Sequence, residues 1–105
     1  MKYGFAVKDS DLAIQSKALN EYGCDFIQKD IELKSVITQL NNGDELVVWR
    51  VDKLAESIDQ LKEALSAVES RGASVSFLFE GVNTRSDCNK WFSQLIDFLS
   101  SLERH

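Results

Sequence analysis

The feature that most limits the fold is a regular alternation of short apolar runs with longer amphipathic segments. Residues 46–49 are apolar at every position, which is typical of a strand buried on both faces of a sheet. Strands are predicted at residues 3–7, 24–27, 46–49 and 75–79, and helices from Asp11 to Gly23, at 32–41, from Ser57 to Gly72 and at 86–103. Strands that alternate with helices predict an α/β domain, with a mainly parallel sheet of about four strands flanked by helices.

Length and charge limit the function. The 105 residues suit one domain covering residues 1–105. Seventeen acidic residues against twelve basic ones give a net charge of −5. We therefore expect no autonomous nucleic-acid binding, because duplex binding gains its affinity by neutralising phosphates. No apolar run approaches a membrane span, and the first residues lack the apolar core of a signal peptide, so we expect a cytoplasmic protein that does not bind membranes.

The residues that bind metals in proteins are sparse and scattered. Cys24 and Cys88 form no Cys-x-x-Cys pair, and His105 is the only histidine. A zinc site needs three or four clustered ligands, so we expect no metal and no cofactor. Both cysteines are interpreted as small, partly buried core residues.

One segment carries a more specific pattern. Residues 46–57 read Leu-Val-Val-Trp-Arg-Val-Asp-Lys-Leu-Ala-Glu-Ser. This resembles the signature of the serine recombinases, the resolvase/invertase family, in which a buried strand is followed by Asp-Arg-Leu-x-Arg-Ser. Residues 18–25, 80–84 and 102–104 resemble other parts of that family in the same order. The resemblance covers essentially the whole chain and implies a resolvase-like catalytic-domain fold.

The resemblance also implies a chemistry. The family cuts DNA with a serine just after the first strand, which forms a 5′-phosphoserine link while arginines carry the charge of the transition state. When its first-strand motif Tyr-Ala-Arg-Val-Ser is matched to this chain, Val7 occupies the arginine position and Asp9 the serine position. A slip of one residue brings Ser10 to the nucleophile position. The alternative is that Ser10 is a helix cap or turn residue.

The central motif departs from the family as well. Asp52 matches the family aspartate, Lys53 replaces the first arginine and Glu56 replaces the second. Lysine loses the bidentate grip on phosphate, and glutamate inverts the charge. Asp52 either caps the next turn or serves a different reaction. We therefore expect a chain that is not an enzyme, with degenerate counterparts of the catalytic residues at Asp9, Ser10, Asp52, Lys53 and Glu56.

The last predicted helix has an unusually broad apolar face. Its apolar residues spread over roughly 160° at 100° per residue, whereas a helix packed on a sheet needs a stripe only slightly wider than 100°. The surplus predicts a partner-binding surface, and the alternative is a broad core face. The residues assigned to this surface are Trp91, Phe92, Leu95, Phe98 and Leu99.

The family's Glu-Arg segment continues into a long dimerisation helix and a helix-turn-helix domain, and we expect this chain to lack both. The first hypothesis is a protein that acts by protein–protein interaction, either with a regulator, repressor or recombinase or by self-association. One form of it is a regulator from a prophage or mobile element, such as an antirepressor. The second hypothesis is a divergent site-specific recombinase subunit involved in DNA recombination. The third is a decayed remnant without a function.

Overall fold

The computed structural model describes residues 1–29, 31–55, 57–79 and 81–84. Within these ranges the chain alternates strands and helices as the sequence predicts. The strands are β1 (Lys2–Ala6), β2 (Phe26–Lys29), β3 (Glu45–Val48), β4 (Ser74–Phe77) and β5 (Val82–Asn83). The helices are α1 (Leu12–Tyr22), α2 (Leu33–Gln39), α3 (Val51–Leu54) and α4 (Ile58–Ser70).

The strands form one sheet in the order β2-β1-β3-β4-β5. The first four strands of that order pair in parallel, and β5 pairs antiparallel with β4. The predicted mainly parallel sheet of about four strands is therefore confirmed. Neither the two-residue β5 nor the four-residue α3 was predicted, because both are too short to show a periodic pattern.

The core lies on both faces of the sheet. Leu46, Val47 and Val48 have no exposed surface, which confirms the prediction of a strand buried on two sides. Successive side chains of a strand point to opposite faces. Leu46 and Val48 accordingly join the larger core cluster with residues of α2 and α4, and Val47 joins a smaller cluster that includes Leu19 of α1.

Two helix ends follow the sequence signals closely. The Ser57 hydroxyl accepts a hydrogen bond from the Gln60 N–H at 3.2 Å and caps α4. Gly23 ends α1 with a φ of 92°, in the left-handed region that glycine adopts without strain. No described helix combines the length and the apolar character that crossing a membrane requires.

Several predictions concern residues outside the described ranges. They include the last helix and its partner-binding surface, so these remain predictions. The residues concerned are Glu56, Cys88, Trp91, Phe92, Leu95, Phe98, Leu99 and His105. Cys24, in contrast, is half-buried beside the smaller core cluster, as predicted.

The parallel arrangement determines where polar residues meet. β1, β3 and β4 end at the same edge of the sheet, which is where open α/β sheets bind ligands. The β1–α1 loop carries Asp9 and Ser10 to this edge. The segment after β3 turns directly into α3 and carries Asp52 and Lys53 to the same place.

Candidate functional site

A lysine joins the two loops at this edge of the sheet. The Lys53 ammonium donates to Asp9 Oδ2 at 2.8 Å and to Asp11 Oδ2 at 2.9 Å. The Lys53 side chain is only 12% exposed, so its charge is partly withdrawn from water. The structure thus brings together two of the residues that the sequence singled out, Asp9 and Lys53, and adds Asp11 to them.

A buried glutamine holds the β1–α1 loop from beneath. Gln15 has no exposed surface. Its amide nitrogen donates to the Val7 carbonyl and to Asp9 Oδ1, both at 3.0 Å, and its amide oxygen accepts from the Val7 N–H at 2.9 Å. Gln15 therefore positions the end of β1 and the Asp9 carboxylate together.

Sequence reasoning missed Gln15, although a signal was present. Leu12 and Leu19 lie on the inward side of α1, and Gln15 is three residues after the first and four before the second. That spacing places a polar side chain on the apolar face of the helix. A polar residue on such a face needs buried hydrogen-bond partners, and here the loop supplies them.

Asp52 makes a separate contact. Its Oδ1 lies 3.1 Å from Nε of Arg50, and the Arg50 guanidinium lies 4.5 Å from the centre of the exposed Phe79 ring. Asp52 nevertheless lines the same cleft as Asp9 and Lys53, a space of about 470 Å³. The sequence prediction that these residues share a site is consistent with this geometry, but Asp52 pairs with Arg50 rather than with Lys53.

Ser10 lies in the exposed turn between Asp9 and Asp11, just before α1 begins at Leu12. The Asp9 carboxylate accepts the Asp11 N–H at 2.8 Å, so Asp9 and not Ser10 stabilises this turn through its side chain. Glu56, the remaining counterpart, is outside the described residues.

The contacts of Lys53 with Asp9 and Asp11 shift the pKa values of Asp9 and Lys53. The hydrogen bond from Lys53, followed by that from the Asp11 N–H, lowers the pKa of Asp9 below 3.8. Desolvation lowers the pKa of Lys53, but its hydrogen bonds to Asp9 and Asp11 outweigh that effect and the net shift is upward. Asp9 and Lys53 are consequently both charged at neutral pH.

This shift predicts a pH dependence. A carboxylate whose pKa is lower in the folded state stabilises the fold above its unfolded pKa, and the contribution is lost as pH falls through the folded pKa. We expect Asp9→Asn to reduce the change in stability between pH 5 and pH 2, measured by urea unfolding at each pH. The control is Glu63→Gln, which removes an exposed carboxylate from the middle of α4 and should keep the wild-type slope. Identical slopes for wild type and Asp9→Asn would contradict the prediction.

The charges of the cluster limit what it binds. Three carboxylates, Asp9, Asp11 and Asp52, face the two cations Arg50 and Lys53, which leaves one net negative charge. Asp9 and Asp11 take two of the three N–H donors of Lys53, so a phosphate would compete with these carboxylates for the ammonium. Among the described residues, no group of three or more metal-binding side chains is arranged to hold a metal ion.

Comparison with known proteins identifies the fold and the family. The family described as "Resolvase, N terminal domain" matches residues 6–105. In three dimensions the chain resembles the N-terminal catalytic domain of TP901-1 integrase, with a TM-score of 0.73 at 15% identity, covering 99% of this chain and 97% of that one. A resolvase-family site-specific recombinase from Streptococcus pneumoniae gives a TM-score of 0.67 at 11% identity, with 98% and 87% covered.

Curated relatives extend the comparison to sequence. DNA-invertase hin of Salmonella typhimurium is 30% identical over 91% of this chain and 55% of its own length. The DNA-invertase of Escherichia phage P1 is 28% identical over 94% of this chain and 58% of its own length. This chain therefore spans a little over half the length of these relatives.

These names overturn one expectation. The substitutions at the catalytic positions predicted a chain that is not an enzyme, whereas the relatives it matches are named as DNA-invertases and recombinases. The prediction of a non-enzyme is therefore wrong. The prediction considered each replaced side chain separately. In the folded chain, the Lys53 ammonium contacts Asp9 and Asp11, the two neighbours of Ser10 in sequence. By sequence and by fold, the chain belongs to the resolvase family of serine recombinases, in the part that corresponds to the N-terminal catalytic domain.

Proposed function

We propose that this chain works in site-specific DNA recombination as a divergent serine-recombinase subunit. The observation that carries the proposal is the match, over nine-tenths of the chain, to proteins named as DNA-invertases. The chain covers only part of those relatives, so its own activity needs direct evidence. Contacts at the carboxyl edge of the sheet supply a second line of support.

The turn that holds Ser10 is fixed on both sides. Asp9 and Asp11 are each bonded to Lys53, and Gln15 holds Asp9 from the core. An exposed hydroxyl in a fixed turn beside a lysine is suited to attack a phosphodiester. In the proposed step Ser10 Oγ bonds to phosphorus, the bond from phosphorus to the 3′ oxygen breaks, the serine proton passes to solvent, and the 3′ oxygen takes up a proton.

The charge of the chain indicates that it does not hold DNA alone. Its net charge is −5, and Lys53 is already paired with two carboxylates. Affinity for the phosphate backbone then has to come largely from outside these 105 residues. We propose a recombinase partner for this purpose, and the predicted surface around Trp91 and Phe92 remains the first place to test for it.

A trapped covalent adduct tests the proposal. Purified protein, alone and with extract of its native host, is incubated at low salt with supercoiled plasmids carrying host DNA, and protein bound to DNA is detected after denaturation. We expect a 5′-phosphoserine adduct. Ser10→Ala should reduce its yield by at least about 1000-fold, because the nucleophile is gone.

Ser66→Ala is the matched control, since Ser66 is an exposed serine on α4. It should form the adduct at the wild-type level. An adduct that persists in Ser10→Ala would exclude Ser10 as the nucleophile. No adduct from the wild type, alone or with host extract, would reject catalytic recombination by this chain.

A further inference from the structure

Arg50 has hydrogen-bond donors that the described part of the chain does not use. An arginine side chain carries five N–H donors. None of those of Arg50 is hydrogen-bonded to a residue that the structure describes. Its Nε is buried and lies 3.1 Å from Asp52 Oδ1, yet neither atom has a hydrogen-bond partner, so the two groups attract each other only as charges. A buried donor of this kind favours binding of an acceptor from outside the chain.

Two other described cations show the contrast. The Lys53 ammonium donates to two carboxylates. The Arg71 guanidinium donates to two carbonyl groups at the C-terminal end of α2, at 2.8 and 2.9 Å, and so ties α2 to the end of α4. These contacts give Arg71 a structural role. Arg50 has no such contact, and it precedes Asp52, the residue at which the family signature begins, so the resemblance assigns it no role.

Two aromatic rings hold the Arg50 guanidinium in place. Its central carbon lies 4.5 Å from the centre of the Phe79 ring and 5.7 Å from the centre of the Trp49 ring. The two rings meet edge to face with their centres 6.3 Å apart. Cation–π contacts fix a guanidinium without using its N–H donors. The donors of Arg50 are therefore oriented before a ligand binds, which reduces the entropy lost on binding.

The Trp49 ring connects Arg50 with the proposed reaction site. The Lys53 ammonium lies 6.0 Å from the centre of this ring, so the ring has both cations near it. Lys53 contacts the carboxylates on either side of Ser10. Asp52, which faces Arg50 Nε, lines the same cleft as Lys53. Arg50 thus lies beside the cleft rather than on a remote surface.

We infer that Arg50 binds a phosphodiester of DNA at this edge of the sheet, through the two terminal nitrogens of its guanidinium. Two parallel N–H donors of a guanidinium match two oxygens of a phosphate. Asp52 faces Nε, which leaves the edge formed by Nη1 and Nη2 for the anion. The inference rests on the proposed function only in naming DNA as the source of the phosphate. The nearby carboxylates oppose an anion, so we expect a Kd for inorganic phosphate on the order of 10 mM.

A phosphate titration tests the inference without DNA. The probe is inorganic phosphate at pH 7, compared with sodium chloride at the same ionic strength. The NMR signals of the Arg50 Nε–H and the Trp49 indole N–H should shift and saturate with phosphate only. Arg50→Gln should weaken binding at least about tenfold, and Arg50→Lys at least about threefold, because lysine keeps the charge but not the fork. Lys62→Gln, which removes an exposed charge from α4, is the control and should bind like the wild type.

Two results of this titration would overturn the inference. The first is a pair of signals that do not shift, or that shift equally in sodium chloride. The second is phosphate binding that Arg50→Gln leaves unchanged, since Lys53 would then be the phosphate ligand. The wild-type titration needs no variant, so it decides the question even if Arg50→Gln fails to fold.

The covalent-adduct assay tests whether the phosphate is that of DNA. At DNA concentrations below saturation, Arg50→Gln should lower the adduct yield at least about tenfold, and more DNA should restore most of it, as expected for a loss of substrate binding. An unchanged yield at low DNA concentration would contradict binding of DNA by Arg50. Phosphate binding at Arg50 with no adduct from the wild type would support the phosphate site and reject the proposed recombination function, so the two failures are distinguishable.

Discussion

Replacement of Gln15 by leucine is expected to lower the free energy of unfolding by about 2–3 kcal/mol. Leucine has about the volume of glutamine, so little of the effect would come from a cavity. The loss comes from the Val7 N–H, which is left in a partly buried position without the acceptor that Gln15 provides. The Val7 carbonyl keeps the Asp9 N–H at 3.0 Å, so it stays satisfied.

Urea unfolding at pH 7 measures this change, with Gln39→Leu as the control. Gln39 is exposed and exchanges amide hydrogen bonds with Gln28, so its replacement should change stability by less than about 0.5 kcal/mol. Equal stability of Gln15→Leu and the wild type would show that the Gln15 amide does not support the loop. In a Gln15→Leu variant that remains folded, the Asp9 side chain should also be more mobile, because Asp9 loses the hydrogen bond that Gln15 donates to it.

Much of this fold could be predicted because a continuous apolar run marks one buried strand and amphipathic patterns mark the helices. Residues 46–49 indicated a central strand, and β3 occupies that place with its side chains buried. The Ser57 cap and the Gly23 terminus are local signals, and each marks a helix end in the structure. β5 is different, because two residues pair with β4 through contacts that no local pattern specifies.

The candidate site was predictable only in part. The resemblance to serine recombinases singled out Asp9, Asp52 and Lys53, and all three line one cleft. Their pairing was not predictable, because Lys53 reaches across 44 positions of sequence to Asp9. Only the parallel register of β1 and β3, with Phe5 beside Val48, brings the two segments together.

The expectation about activity failed for a related reason. Lys53 and Glu56 stand where the family has arginines, and each replacement taken alone suggested that the catalytic activity is lost. A lysine offers a single point charge where arginine offers a fork, but it still neutralises a nearby anion. Whether it does so for a scissile phosphate depends on how readily Asp9 and Asp11 release it, and that is a property of the folded cluster.

Lys53→Met is expected to show whether the lysine only holds Asp9 or also binds the reacting phosphate. Removal of the ammonium takes away the largest cause that lowers the pKa of Asp9, so that pKa should rise toward its ordinary value of 3.8. Carboxyl NMR titration of the labelled protein measures the rise. If Lys53 also binds the reacting phosphate, the yield of the serine adduct should fall on the order of 100- to 1000-fold, the usual effect of losing one group that stabilises transition-state charge.

Lys53→Arg completes the experiment, because it retains the charge and adds a second hydrogen bond to a phosphate. Its adduct yield should equal or exceed that of the wild type, and the pKa of Asp9 should stay low. A Lys53→Met variant with a raised Asp9 pKa and an unchanged adduct yield would show that Lys53 only holds the β1–α1 loop. A low yield in both variants, with folding intact, would instead indicate that the reaction requires the geometry of the ammonium between Asp9 and Asp11.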